Sequence, residues 1–335
     1  MRNSLYSTLA ALLILPLFTA LPAQAQDSDE LANALSRVGQ QYATNYTRPV
    51  TDVLGADMNA GLFRTAGFDG TGLLPMIDVY VGVSVAGAFT AGSPDSFELS
   101  NDEIEANGQT LRIEYPNGSL PTAFGDNDSP GTATLIDTQT ETQVGEVGLP
   151  GSIIDTPIAP LVVPQVGVGT VFGTDAQVRY LPEIGYNDYG SVSLFGVAVR
   201  HSLSQYIPLS PVSVAVQGSW QSLSLSGREG SQNPGEIVDA SGWALNAQVS
   251  KDVPVLPITF YGGVQYEKFG VDVDYTFATT VNGQEKTSRI RFEQDAANNV
   301  RALAGVSLTL ALFKVNVDYA LSSNNTVSAG VGLAL

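Results

Sequence analysis

The chain has no cysteine and one histidine in 335 residues. Without thiols it can hold no disulfide, no thiolate metal site and no lipid-modified cysteine anchor. Bases are scarce, with 15 Lys and Arg against 33 Asp and Glu. The basic footprint that neutralises phosphates is therefore missing, which excludes nucleic acid as a partner. Long apolar runs are missing as well. Past the first 25 residues the sequence has no uninterrupted apolar run of the roughly 18 residues that a membrane-spanning helix takes. A spanning structure would have to be a closed barrel of strands.

Helical spacing is confined to residues 28–60, where Leu31, Ala34, Leu35 and Val38 recur on one face. Asp27 or Ser28 is the expected cap. A second short helix is expected from Pro49 to Met58, capped by Thr47. Before this lies a secretory signal: Arg2, the run LAALLILPLFTAL, and Ala23 and Ala25 framing a cleavage site before Gln26. Acids cluster from Asp95 to Asp155, where Arg112 is the only base, which reads as a solvated, exposed segment.

From Ile77 the period is two. Ile77, Val79, Val81, Val83 and Val85 alternate with Asp78, Tyr80, Gly82 and Ser84. Similar strands follow around Val162–Phe172, Ala176–Tyr180, Phe195–Val199, Val212–Trp220, Trp243–Val249, Ile258–Tyr266, Val300–Leu310, Val315–Tyr319 and Val327–Leu335. One face is apolar and the other small or polar. A soluble sandwich and a membrane barrel share that pattern. Connection lengths favour the barrel. With the N-terminus in the periplasm, connections 173–175, 202–211, 252–257 and 312–313 fall on the periplasmic side. Those at 90–161, 183–189, 226–236, 278–299 and 322–325 fall outside and include the two longest. Tyr206, Trp220, Trp243, Tyr266 and Phe269 sit near strand ends, where interfacial girdles belong. The segment TLRIEY at 110–115 leaves room for further hairpins within 91–160. The expected fold is an all-β antiparallel transmembrane β-barrel of about 10–14 strands with a short N-terminal helical plug. Its expected parts are a signal peptide 1–25, a plug 26–73, and a barrel 74–335 with a large acidic extracellular loop 91–160.

The segments GADMNAGLFRTAG, RYLPEIGYNDYGSVSLFGVAVRHSLSQYIPLSPVSVAVQGSW and ITFYGGVQYEKFGVDVDYTF resemble an uncharacterised family of Gram-negative outer-membrane proteins. That family is in turn distantly similar to the long-chain fatty-acid transporter barrels. The resemblance implies a lumen plugged by an N-terminal segment, here 27–72, and hydrophobic substrates leaving sideways through an opening in the wall.

His201 and Ser202 invite comparison with a hydrolase. Adjacent strand residues point to opposite faces, so the hydroxyl cannot readily reach the ring. His201 shares a face with Phe195, Val197 and Val199 and is expected at the lipid–water boundary. In GDNDSPGT at 125–132, Asp126 and Asp128 suggest calcium. An EF-hand would need an acid or amide where Pro130 stands, so only loose binding or a solvated loop remains. No catalytic residue, metal or cofactor is assigned. Asp78, Arg179, Arg200, Glu267, Arg301 and Asp318 are expected to line the lumen, pairing with each other or the plug, or tuning what passes. Phe269, Val271, Val273, Tyr275 and Phe277 reverse the alternation, which implies a bulge near Lys268 or an extracellular extension.

The leading functional expectation is passive transport of a small, hydrophobic molecule across the outer membrane. The rival is a surface anchor or adhesion barrel working through 91–160. A lipid hydrolase using His201 ranks last, and no enzymatic activity is expected. The expected partners are outer-membrane lipid, the small hydrophobic ligand and the barrel-assembly machinery.

Overall fold

The computed structural model describes residues 28–66, 77–106, 109–116, 119–124, 132–149, 151–152, 154–186, 190–227, 236–281 and 284–335. The signal segment and the Asp126–Asp128 motif lie outside them. The chain begins with one helix, α1 (Ser28–Met58), followed by β1 (Ile77–Phe89). Six short strands come next: β2 (Ser96–Phe97), β3 (Asp102–Ala106), β4 (Gln109–Glu114), β5 (Leu120–Pro121), β6 (Thr132–Asp137) and β7 (Thr142–Gly148). Ten longer ones complete the chain: β8 (Ile158–Thr170), β9 (Thr174–Tyr186), β10 (Gly190–Ser202), β11 (Ser213–Ser226), β12 (Glu236–Asp252), β13 (Ile258–Val281), β14 (Gln284–Asp295), β15 (Val300–Leu310), β16 (Phe313–Leu321) and β17 (Thr326–Ala334).

Strands β1, β8–β13 and β15–β17 close into a ten-stranded antiparallel barrel. Each pairs with its sequence neighbour in the wall, and β1 meets β17 to seal the ring. Closure leaves each wall strand with a neighbour on both sides, although β8 and β9 pair only over their turn-end halves, from Gln165↔Arg179 to Gly169↔Asp175. Strand β14 stands apart from the ring and pairs only with the far half of β13, as a hairpin rising beyond one end.

The barrel is inside-out. Leu245 and Val264 are 57% and 58% exposed on the outer surface, while inward Gln265 and Glu267 are 3% and 0% exposed. Outward Val81, Val166, Val199, Phe260, Val306 and Val317 continue the apolar belt around the ring. Continuous apolar surface of this kind marks a face that does not meet water. At one end, the turn end, strands are joined by 171–173, 203–212, 253–257 and 311–312. The opposite, loop end carries 90–157, 187–189, 227–235, 322–325 and the β13–β14 hairpin.

Four expectations need correction. Segment 91–160 adds no wall strand of its own among its described residues, contributing only the first residues of β8. TLRIEY supplies β4 of a separate four-stranded sheet ordered β3-β4-β6-β7, and β2 pairs with β5. The helix is continuous through Pro49, and Thr47 does not cap it. Its hydroxyl donates back to the Ala43 carbonyl at 2.8 Å, as mid-helix threonines do. There is no bulge near Lys268, since β12 and β13 pair in unbroken register from Asp252↔Thr259 to Val238↔Val273. The pleat keeps its parity and the chemistry inverts. Beyond the apolar belt the outer face turns polar with Lys268, Asp272 and Asp274, and the inner face turns apolar with Phe269, Val271 and Val273. Phe269 is consequently no girdle residue. It is 1% exposed and faces α1, while Trp220, Trp243 and Tyr266 do sit on the outer face.

A closed barrel of this kind resists detergent until heated. Unboiled protein is expected to run at a different gel mobility from boiled protein; identical mobility would contradict the ring.

Candidate functional site

The lumen is occupied by the end of α1 and the segment that follows it, to Ala66. At the loop end α1 packs into two apolar cores. Tyr42, Tyr46, Val50 and Val53 join Leu111, Ile113, Leu120, Phe124 and Leu135 of the 91–157 unit. The Tyr46 hydroxyl donates to the Gly151 carbonyl at 2.7 Å, and Tyr42 meets the Phe97 ring edge-on at 5.4 Å. Burial pushes both tyrosine hydroxyls well above their ordinary pKa. On its other side α1 meets the hairpin. Thr51 donates to Gln294 at 2.7 Å, and the Gln294 amide donates to the Thr44 carbonyl at 2.8 Å. Asp52 accepts from the Ala297 amide at 2.7 Å, and partial burial raises its carboxyl above the usual range. Lower down, Met58 shares a core with inward Leu161, Val163, Leu194, Leu223, Val238 and Phe269. A side chain on Gly55 would strike Phe269 and Ala296 at 2.9 Å, so glycine sets how closely the helix approaches the wall.

The helix stops at Met58 and the chain turns at Gly61, whose φ of +66 suits glycine. A Cβ there would also collide with the Ser84 hydroxyl. From this point the lining changes from apolar to polar, for a physical reason. An α-helix satisfies its own backbone, but its last carbonyls and a non-helical segment do not. The wall supplies the missing donors. Arg301 Nη2 donates to the Ala56 carbonyl at 2.7 Å. Gln221 Nε2 and Arg179 Nη1 reach the Met58 carbonyl, the latter at 3.5 Å. Gln265 Nε2 reaches the Asn59 carbonyl at 3.1 Å, Ser84 Oγ the Gly61 carbonyl at 3.3 Å, and Gln217 Nε2 the Leu62 carbonyl at 3.4 Å. Arg200 donates to the Thr65 carbonyl, and Ser250 Oγ accepts from the Ala66 amide at 3.1 Å. Side chains of the segment stack onto the wall too. Phe63 lies on Tyr261 with ring centres 5.2 Å apart, and the Arg64 guanidinium sits 3.7 Å over Tyr80.

The six charged residues singled out in the sequence are all buried on the inward face. Arg301 and Glu267 form a two-pronged pair at 3.0 and 3.1 Å, with Thr326 as a third partner of the arginine. Arg200 pairs with Asp175 at 2.7 Å. Asp318 accepts from Tyr261 at 2.9 Å and Ser328 at 2.6 Å. Arg179 bonds the amides of Gln165 and Gln221 at 3.3 and 3.2 Å. Asp78 lies near the turn end, away from the Arg301–Glu267 pair. The set is thus spread along the lumen rather than gathered into one constellation. Buried amides form a second inward group, which the charged residues do not mark: Gln165, Gln177, Gln217, Gln221, Asn246, Gln248 and Gln265 are buried, and several bond one another. Their signal was an inward row of neutral donor–acceptor groups, which suits a peptide backbone.

His201 lies at the turn end. Its ring bonds the hydroxyls of Thr174 at 2.8 Å and Tyr206 at 3.1 Å, with Gln205 at 3.2 Å. Ser202 contributes its backbone amide to the Gly173 carbonyl.

The chain matches, over residues 1–335, a family described as "Family of unknown function (DUF6588)". No curated protein matches it. Similar solved structures include the translocator domain of autotransporter NalP from Neisseria meningitidis, at 12% identity over 92% of this chain and 97% of that one, TM-score 0.24. The beta domain of the Bordetella autotransporter BrkA gives 10% identity, 77% and 98% coverage and TM-score 0.30. The Pseudomonas putida toluene transporter TodX gives 11%, 78% and 68%, and 0.27. Scores this low add nothing to the fold read from the strands.

Truncating Arg301 to alanine strands Glu267 and the Ala56 carbonyl in the interior. It is expected to cost about 3–5 kcal/mol of unfolding free energy, and Arg301→Met with Glu267→Met much less. Urea unfolding in lipid vesicles measures both; an Arg301→Ala midpoint equal to wild type would contradict the buried pair.

Proposed function

The chain belongs to that family of unknown function, and we propose that it is an outer-membrane barrel sealed by its own N-terminal segment. Its role in this reading is to hold at the cell surface the acidic unit built from residues 91–157 and the outer half of α1. The loop end faces out of the cell and the turn end faces the periplasm. The apolar belt supports a lipid surround, and the asymmetry of connection lengths supports the orientation.

The observation that carries the sealed state is the row of bonds from the wall to the backbone of residues 56–66. Withdrawing that segment would strand several buried donors and acceptors at about 1–3 kcal/mol each unless water replaced them. Residues 91–157 are acidic, and their lone base, Arg112, is held by Glu114 and Glu141, both 3.0 Å away. That leaves the outer face free of unpaired cations in this segment, which suits a cationic or neutral partner better than an anionic one.

A second reading, passage of a small hydrophobic molecule, follows from the resemblance to fatty-acid transporter barrels. One observation favours it: an apolar cleft between α1 and the hairpin, lined by Val50, Leu54, Ile237, Val271, Ile290 and Phe292. The cleft encloses ≈ 30 Å³, room for a methyl group rather than a substrate, so passage would require α1 to shift.

Single-channel recording in planar bilayers separates the readings. Wild type is expected to show no steady conductance, and a variant lacking residues 28–66 is expected to conduct. A steady wild-type pore would overturn the sealed barrel.

A further inference from the structure

The course of the N-terminal segment relative to the ring carries a consequence for topology. Residues 42–53 lie beyond the loop end, packed on the surface unit and the hairpin. Met58 lies at the level of Gln221, which pairs with Gly196 of β10. Thr65 lies at Arg200, four residues further toward the turn end, or about 13 Å at a strand's rise of ~3.3 Å per residue. Ala66 is held by Ser250, two residues from the turn-end limit of β12. Strand β1 then starts at the turn end, Ile77 opposite Thr170. Between residues 53 and 66 the chain therefore runs through the lumen from the loop end toward the turn end, where β1 begins.

From this course we infer that the barrel carries its own N-terminal segment across the outer membrane and displays the start of α1 outside the cell. The inference rests on the orientation proposed above. From Ala56 back to Ser28 the helix runs 28 residues, about 42 Å at ~1.5 Å per residue, away from the membrane. Each seam is hydrogen-bonded on its turn-end half, and the β8–β9 seam stops at Gln165↔Arg179, so a sideways opening there lies on the loop-end half and not on the periplasmic side from which the segment starts. Either the N-terminal segment passes outward through the lumen, or the ring closes around a segment already led across. In both cases residues 28–50 cross the membrane during assembly, although the signal peptide delivers the chain to the periplasmic side. The activity is vectorial transfer of the chain's own N-terminal segment to the outer side, with residues 56–66 as the stop held in the lumen.

The absence of native cysteine makes the test direct, because each introduced cysteine is a unique thiol. Gln40→Cys lies on the exposed side of α1, Ser323→Cys on the exposed loop-end turn, and Val255→Cys on the exposed turn end. Intact cells are treated with a membrane-impermeant maleimide, before and after the outer membrane is permeabilised. Each variant is first checked for heat-dependent gel mobility, so that only folded barrels are scored. Gln40→Cys and Ser323→Cys are expected to label on intact cells, at least tenfold more than Val255→Cys, which labels only after permeabilisation. Labelling of Ser323→Cys without Gln40→Cys on intact cells would overturn the export inference and leave the orientation standing. Labelling of Val255→Cys without Ser323→Cys would overturn the orientation itself, and with it the proposed surface role.

Discussion

A peptide backbone that leaves its helix inside a closed barrel must find hydrogen bonds from the barrel or go without, and much of this structure answers that constraint. Where α1 is helical it satisfies its own amides and carbonyls, and the wall beside it is leucine, valine and phenylalanine. Where the helix ends at Met58 the wall becomes arginine, glutamine, asparagine and serine. The change of lining follows the change of backbone state. Arg301 illustrates the economy of the arrangement. One guanidinium caps a helix carbonyl, neutralises Glu267 and bonds Thr326, so that a charge with 1% exposure is matched on every side.

The same constraint explains why the wall looks different above and below the belt without any break in its pleat. Along β13 the inward positions run Tyr261, Gly263, Gln265, Glu267, Phe269, Val271 and Val273 in unbroken alternation. The polar members face the non-helical segment and the apolar ones face α1. Outward, Val264 and Tyr266 give way to Lys268 and Asp272 as the strand rises out of the belt. Each face follows what it touches, and what it touches changes at nearly the same height on both sides.

The periodicity of two, the ten wall strands and the inward aim of the arginines were legible in the sequence, because strand alternation depends only on parity. What the arginines bond was not legible. Beside side-chain partners such as Glu267 and Asp175, each also reaches a main-chain carbonyl, which every residue carries and which no side-chain pattern marks. Of the two explanations for the reversed alternation at Lys268, the extension holds, since β13 continues into the hairpin with β14, and the bulge fails because the inner face also has an apolar partner. The two-helix reading of residues 28–58 gave Pro49 the weight of a helix start, whereas packing on both flanks of α1 holds the helix together through it. TLRIEY was recognisable as a strand, but its separation from the ring depends on the surrounding sheet, which short strands do not announce.

The dependence of the structure on this backbone cradle is most directly measured by hydrogen exchange in native outer-membrane vesicles. Amides of residues 56–66 are expected to be protected as strongly as those of β10–β13. Exchange as fast as in the exposed 322–325 turn would mean that the wall does not hold the segment.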